Sequence, residues 1–236
     1  MKKLVVFSGA GLSAESGIPT FRDSDGLWEN HKVEDVADPD GWRRDPELVL
    51  RFYEQRFNAI TNAEPNDAHK AIADLQDRYD VINYTQNIDN LLERAGCKDV
   101  RHMHGSVFRK KCEKHENTGD CAATCDFVDV CDEPIKLGDK CPKCDGQLRP
   151  DVVWFKEAVQ FEFEEIIELC KEVKYNDGVF VCVGTSGNVQ PAAALISFFS
   201  QVKRKFIVNK DARPIADYEI LEGLATEGMR KLEQSL

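Results

Sequence analysis

The chain has 236 residues, 42% hydrophobic and 31% charged, a size and balance that fit one soluble globular domain, or one large domain carrying a small module. No apolar run approaches the ~18 residues needed to span a bilayer, and a formal net charge of −11 argues against a nucleic-acid partner, because phosphate binding needs clustered Lys and Arg. Nine cysteines, several of them crowded into one segment, point to reduced thiols and zinc in a cytoplasmic protein rather than to a disulfide framework.

In chain order, the apolar stretch Leu4-Val5-Val6-Phe7 after Met1-Lys2-Lys3 is too short for a signal peptide and reads as a first buried strand. Glycines follow at once, in Gly9-Ala10-Gly11-Leu12-Ser13-Ala14-Glu15-Ser16-Gly17-Ile18-Pro19-Thr20-Phe21-Arg22. Glycine after a first strand lets backbone amides approach a pyrophosphate, with a helix N-terminus behind them. Apolar spacing predicts helices over 46–61 and 66–79, then a strand over 81–85 that ends at Gln86-Asn87-Ile88-Asp89. His102-Met103-His104-Gly105 comes next. Amide and carboxylate side chains at a strand end suit a carboxamide and ribose hydroxyls. His104 suits a general base, since an imidazole titrates near neutrality, and His102 reads as structural.

The segment 110–150 breaks the alternation and holds six cysteines. Cys141-Pro142-Lys143-Cys144 has zinc-knuckle spacing, and Cys112 adds a third thiolate. Structural zinc takes four ligands in a tetrahedron. Cys131 is the favoured fourth, with His115, Cys121 and Cys125 left open. Beyond it, helices are predicted over 161–174, 191–203 and 214–233, with strands over 179–183 and 206–209. Gly184-Thr185-Ser186-Gly187-Asn188-Val189 is a small-residue turn before a helix, another dinucleotide-contact design, and Asn209 closes the last strand. Short continuous apolar strands alternating with helices predict an α/β fold, a Rossmann-like doubly wound parallel sheet with a small inserted zinc-binding module and a small helical module.

The string from Gly9 to Arg22, the Thr85-Gln86-Asn87-Ile88-Asp89 segment with His104-Gly105 beyond it, the Gly184 turn and the cysteine segment, in that order, resemble the sirtuin family over essentially the whole chain. The resemblance implies a single catalytic domain, 1–236, with a Rossmann-like core at about 1–30, 78–108 and 150–236. A helical insert spans about 31–77 and a zinc module about 109–149. It implies NAD+ as co-substrate and one structural zinc. Where the family usually shows a first C-x-x-C, however, this chain has Cys112-Glu113-Lys114-His115, so the set Cys112, Cys131, Cys141 and Cys144 rests on the preference for thiolates and its fourth member stays open. It assigns Gly9, Ala10, Gly11, Ser13, Glu15, Thr20, Phe21, Arg22 and Trp28 to NAD+, together with Gln86, Asn87, Asp89, Gly184, Thr185, Ser186, Val189, Asn209 and Ala225. His104 is implied as the catalytic base. Val153, Trp154, Phe155 and Glu157 are implied to wall the acyl-lysine channel.

Within the family the chain is similar to bacterial members and to the desuccinylase-type class, which carries a Y-x-x-R like Tyr53-Glu54-Gln55-Arg56. A guanidinium matches a carboxylate bidentately and a phenol adds a donor, and the two share one helix face at i and i+3. The implied activity is NAD-dependent removal of acetyl, and of succinyl or malonyl, from protein lysines by a monomer that binds neither nucleic acid nor membrane. Two departures stand out. Asp23 brings a carboxylate to where relatives carry small neutral residues, and Lys156 replaces a usual glycine, either as a cation beside the peptide channel or as a solvated lysine. The same pocket also fits an NAD glycohydrolase or mono-ADP-ribosyltransferase. A hydride-transferring oxidoreductase leaves the zinc segment without a part, and a non-enzymatic NAD-binding module would not keep His104, Asn87 and Asp89 together.

Overall fold

All four continuous apolar runs lie side by side in one parallel sheet. The structure is a computed structural model that describes residues 1–20, 27–28, 31–115, 125–159, 162–185, 192–212, 215 and 217–236. Phe21, Arg22, Asp23, Cys121, Ser186 and Val189 lie outside the described residues. In chain order the described residues form β1 (Lys2–Ser8), β2 (Leu27–Trp28), β3 (His31–Lys32), α1 (Val33–Val36), α2 (Pro39–Arg44), α3 (Pro46–Asn62) and α4 (Asp67–Asp74). There follow β4 (Tyr79–Thr85), α5 (Leu91–Arg94), β5 (Val100–His102), β6 (Gly105–Cys112), β7 (Val128–Val130) and β8 (Leu148–Val152). The chain ends with α6 (Phe163–Tyr175), β9 (Val179–Val183), α7 (Ala192–Phe198), β10 (Arg204–Asn209), β11 (Glu219–Glu222) and α8 (Ala225–Ser235).

The main sheet has the order β11-β10-β9-β1-β4-β5, with every neighbouring pair parallel. Successive strand residues point to opposite faces, so each apolar run feeds two cores. Leu4, Val6, Val181 and Val208 pack on one face with Ile72 of α4 and Met229 of α8. Val5, Phe7, Cys182 and Ile207 pack on the other with Ile166 and Leu169 of α6 and Phe199. Each such side chain contributes about 1.5–3 kcal/mol on leaving water. A third core joins α2 and α3 to β6, β8 and the cysteine segment. By packing, therefore, α4 belongs to the sheet and not with the helical module that precedes it.

The helical module begins with two Asp-Pro steps. Asp38 and Asp45 cap α2 and α3, accepting from Asp40 N and Leu48 N, and the following proline needs no N–H partner. The helix predicted over 214–233 is corrected. Residues 219–222 extend instead as β11 at the sheet edge beside β10, and α8 starts at Ala225. Its helical spacing overlooked that an open parallel sheet still had an edge to fill. The strands β5, β6 and β8 also escaped prediction, being short or interrupted by charge. Among the described residues no helix is long and apolar enough to cross a membrane.

Candidate active site and metal cluster

Strand β1 is the switch point of the sheet, with β4 on one side and β9 on the other, and the loops leaving their carboxyl ends form a crevice of the kind that binds ligands in such sheets. The glycines act here by close approach of backbone to backbone. A Cβ on Gly11 would lie 2.7 Å from Gly184 Cα, and Gly184 itself has φ +64. The Gly9 and Gly11 amides donate to Val183 O at 3.0 Å and Gly184 O at 2.8 Å. These two hydrogen bonds join the loop after β1 to the loop after β9.

Below that junction lies a buried polar network. Ser13 Oγ donates to Asp89 Oδ2 at 2.9 Å, and Asn87 Nδ2 donates to Ser13 Oγ and to Gly9 O, both at 3.2 Å. Asp89 also accepts from Leu91 N at 3.1 Å. Burial raises the Asp89 pKa, and the Leu91 and Ser13 hydrogen bonds hold it back. His69, fully buried on α4, completes the network 3.4 Å from Ser13 Oγ. Its Nδ1 accepts from Asn66 N, closing a capping box, so Nε2 carries the proton that faces the serine. Sequence reading missed His69; the signal was its spacing from Asn66, a cap residue whose partner at the third helical position is usually Glu or Gln.

The strand that follows grips the Gln86–Ile88 loop by its carbonyls. His104 Nδ1 lies 3.1 Å from Gln86 O, His102 Nδ1 lies 2.9 Å from Asn87 O, and Val107 N donates to Ile88 O at 3.1 Å. A carbonyl only accepts, so His104 Nδ1 carries the proton and Nε2 keeps its lone pair. Burial lowers the His104 pKa against the opposing pull of Gln86 O, which keeps it neutral. His102 differs in that its Nε2 is also engaged, 2.7 Å from Glu93 Oε1. Gly105 must be glycine here: its φ is +71, and a Cβ would stand 1.9 Å from Asp151 O.

On the other side of the crevice, Thr185 Oγ1 donates to Gln86 Oε1 at 3.0 Å, and Asn209 Nδ2 donates to Thr185 O at 2.6 Å. Ala10 and Thr20 are half-buried in the first loop. Glu15 has another task, its carboxylate accepting from Thr226 N at 3.0 Å and Thr226 Oγ1 at 2.7 Å and so capping α8. Ala225 is buried in the sheet core at the start of that helix. The Trp28 ring lies against α3, 4.8 Å from Phe52 and 6.3 Å from Tyr53.

Tyr53 and Arg56 are both buried on α3. Tyr53 Oη accepts from Trp154 Nε1 at 3.0 Å, which leaves its own proton to donate elsewhere. Burial lowers the Arg56 pKa to about 10, still cationic at neutral pH. The Trp154 indole is fixed on every side: the Arg149 guanidinium lies 3.7 Å over its ring, and Trp42 packs at 5.6 Å. Glu157 is corrected as a channel wall. Its side chain is 1% exposed, paired with Arg149, 3.6 Å from Lys111 Nζ, and accepting from Trp154 N. Two buried cations required a buried anion between them, which took Glu157 away from the channel. Val153 N donates to His104 O at 2.9 Å, and Phe155 is 48% exposed. Lys156 adopts φ +73, explaining the usual glycine, and pairs with Asp38 at 2.9 Å and Asp40 at 2.8 Å, so it is no solitary cation beside the channel.

The metal cluster replaces one expected ligand. Cys112, Cys125, Cys141 and Cys144 place their sulfurs within 4.8 Å of one another. Tetrahedral zinc with Zn–S of about 2.3 Å needs sulfurs about 3.8 Å apart; the pairs Cys112–Cys144 and Cys125–Cys141 stand at 3.4 and 3.6 Å. Cys131 is thus overturned as the fourth ligand: its Sγ donates to Glu133 O and its backbone N to Phe108 O. Cys125 takes the place because it pairs with His115 in a bridge beside Cys112, which folds it over the knuckle. His115 is not a member of the cluster. Four thiolates leave no open position, so a zinc here is structural. It also sits at the far end of β6 from His104, eight residues on, at most about 26 Å away at the rise of an extended strand.

The Sir2 family model matches residues 9–191. A Helicobacter pylori (strain J99) protein named NAD-dependent protein deacylase is 39% identical over 239 residues, covering 100% of this chain and 96% of its own. A Bdellovibrio bacteriovorus protein of the same name is 41% identical over 246 residues, covering 100% of this chain and 97% of its own. Among solved structures, a Sir2 homolog–NAD complex is 38% identical with TM-score 0.81, covering 99% of this chain and 89% of that one. A Sir2–p53 peptide–NAD+ complex is 27% identical with TM-score 0.75, covering 98% and 92%.

Proposed function

The chain belongs to the Sir2 family, and on that premise we propose that it removes acyl groups from protein lysines with NAD+ as co-substrate, yielding nicotinamide and O-acyl-ADP-ribose. The observation that carries this reading is His104. Its Nδ1–H is committed to Gln86 O, in the same loop as Asn87 and Asp89, which fixes the ring and leaves the lone pair on Nε2. The crevice fits a dinucleotide: amide and carboxylate groups from Gln86, Asn87, Asp89 and Asn209 suit a carboxamide and ribose hydroxyls, at the switch point where such ligands bind.

When bound, NAD+ supplies an electrophilic ribose carbon and the hydroxyl that carries the acyl group away. Asn87 and Asp89, locked by Ser13 and Leu91, orient the nicotinamide end. His104 Nε2 would accept a proton from a ribose hydroxyl of the bound co-substrate, which is the chemistry a neutral imidazole can supply there. Trp154, held by Arg149, Tyr53 and Glu157, excludes water from the reacting atoms and lines the path of the lysine stem. Main-chain hydrogen bonds near Val153 and Phe155 add the substrate peptide as an extended strand.

Tyr53 and Arg56 extend the reading to acidic acyl groups. A desolvated guanidinium one helical turn from a phenol that has a proton to give suits the terminal carboxylate of succinyl or malonyl. The protein acts in the cytoplasm on acyl-lysine proteins, and its net charge of −11 keeps it soluble there. The test treats one peptide, acetylated or succinylated, with enzyme and with or without NAD+, and follows products by mass spectrometry. NAD-dependent loss of succinyl above acetyl is expected, abolished in a folded His104→Ala variant. Wild-type turnover in His104→Ala would falsify the assignment, and nicotinamide release without acylated peptide would move it to a glycohydrolase.

A further inference from the structure

His102 closes β5 and His104 lies in the turn that follows, and each places Nδ1 on a carbonyl of the same loop, Asn87 O and Gln86 O. Their second nitrogens differ. That of His102 lies 2.7 Å from Glu93 Oε1, with the imidazole side chain 14% exposed and the carboxylate 40%. A carbonyl on one side and a carboxylate on the other both accept, and the state that satisfies both is an imidazolium with two N–H donors. The charged groups facing this ring are Glu93 from α5 and Asp89 from the loop. Arg101 beside it is turned to Asp99, Tyr84 and Glu165.

This imidazolium ties together both ends of the segment that presents the nicotinamide-binding residues. Asn87 is gripped by its carbonyl. Glu93 is gripped on the first turn of α5, the helix whose start is defined by the Asp89–Leu91 hydrogen bond. Asn87 and Asp89 therefore lie inside a span fastened at each end by one ring. Their side chains are further locked to Ser13, so a shift of the backbone at 87 would pull Asn87 away from Gly9 O and Ser13 Oγ.

We propose that the His102–Glu93 pair is a positioning device for NAD+, holding the 87–93 segment so that Asn87 and Asp89 meet the nicotinamide end in register. The proposal rests on the NAD+ reading of Asn87 and Asp89 given above. His102 touches neither the reacting atoms nor the peptide, so its loss acts on NAD+ and leaves peptide binding alone.

The test measures NAD+ affinity by calorimetry without peptide, and KM for NAD+ and for acylated peptide, in wild type, His102→Leu, His102→Asn and Glu93→Gln. His102→Leu deletes both hydrogen bonds and is expected to weaken NAD+ binding and raise its KM about tenfold, with the peptide KM unchanged. His102→Asn, whose amide N overlays Nδ1 and can still donate to Asn87 O, recovers most of that loss. Glu93→Gln, on the exposed side of the pair, folds normally and shows an intermediate effect. Unchanged NAD+ affinity in His102→Leu and Glu93→Gln, even with lowered thermal stability, overturns the proposal, as does an equal rise in both KM values. Should His102→Leu fail to fold, Glu93→Gln decides by the same measure. Wild type that binds NAD+ without deacylating would overturn the deacylase reading, while the calorimetry still judges the pair.

Discussion

Three histidines near the crevice show how the pKa of one type of side chain is pushed in different directions by its surroundings. Burial lowers that of His104, which has only the Gln86 carbonyl to oppose it; at His102 burial is outweighed by the Glu93 carboxylate and the Asn87 carbonyl, which raise it. His69 faces a backbone N–H and a serine, and burial lowers its pKa from 6.5 to about 4. Protonating it would set a new Nδ1–H against the Asn66 N–H. A depressed folded-state pKa gives stability that is full above the unfolded value and is lost as pH falls from about 6.5 towards 4, by up to about 3 kcal/mol. Denaturant unfolding across that range should therefore show a slope that His69→Gln flattens; an identical slope in the variant would assign it to carboxylates. At Arg56 the expectation is a change of specificity. Arg56→Met should cut desuccinylation at least tenfold while leaving deacetylation within about twofold, because the methionine keeps the packing and removes the charge. Equal losses on both peptides would remove Arg56 from acyl recognition.

At the scale of elements, the segment from β8 to Glu157 is held by a buried network of two cations and two anions. Lys111 lies 3.6 Å from Asp151 and from Glu157, and Arg149 pairs with Glu157 while covering Trp154. Burying ions is costly unless each is paired, and breaking one partner strands the rest. Glu157→Gln should thus destabilise the fold by about 3 kcal/mol or more and lower turnover by releasing Trp154 N and the Arg149 stack. Chemical denaturation together with Trp154 fluorescence reads both effects. A variant of wild-type stability would show that the network is dispensable. Little of this was legible beforehand, because Glu157 was expected in the channel wall, nothing local links it to Lys111, and only the pairing of β6 with β8 brings Lys111 and Arg149 together. The Asp-Pro caps of α2 and α3 are local signals, since both partners lie within three residues, although the helix α2 itself went unpredicted.

For the whole molecule, the zinc cluster fastens the third core, in which Cys112, Cys125 and Cys141 pack with residues of α3 and β8. Metal binding to such a site is folding free energy. Cys125→Ser should lose zinc, unfold at lower temperature and lose activity in proportion to the loss of folded protein, whereas Cys131→Ser should keep stoichiometric zinc. Metal content by atomic emission and a thermal melt give the answer, and retained zinc in Cys125→Ser would return the fourth position to Cys131 or His115.

The sequence by itself determined the parallel sheet, the loops after Phe7, Thr85 and Val183 and the presence of a thiolate metal site, and it singled out His104 for test. Those signals are local: continuous apolar runs, glycines at strand ends, a C-x-x-C knuckle. Tertiary structure alone decided which cysteine completes the cluster, which histidine meets a carboxylate, that His69 joins Ser13 and Asp89, and that residues 219–222 extend the sheet. In each of these the partners lie far apart in the chain or the choice depends on a sheet edge, so the deciding energy is a pairing or a burial that exists only once the elements have packed.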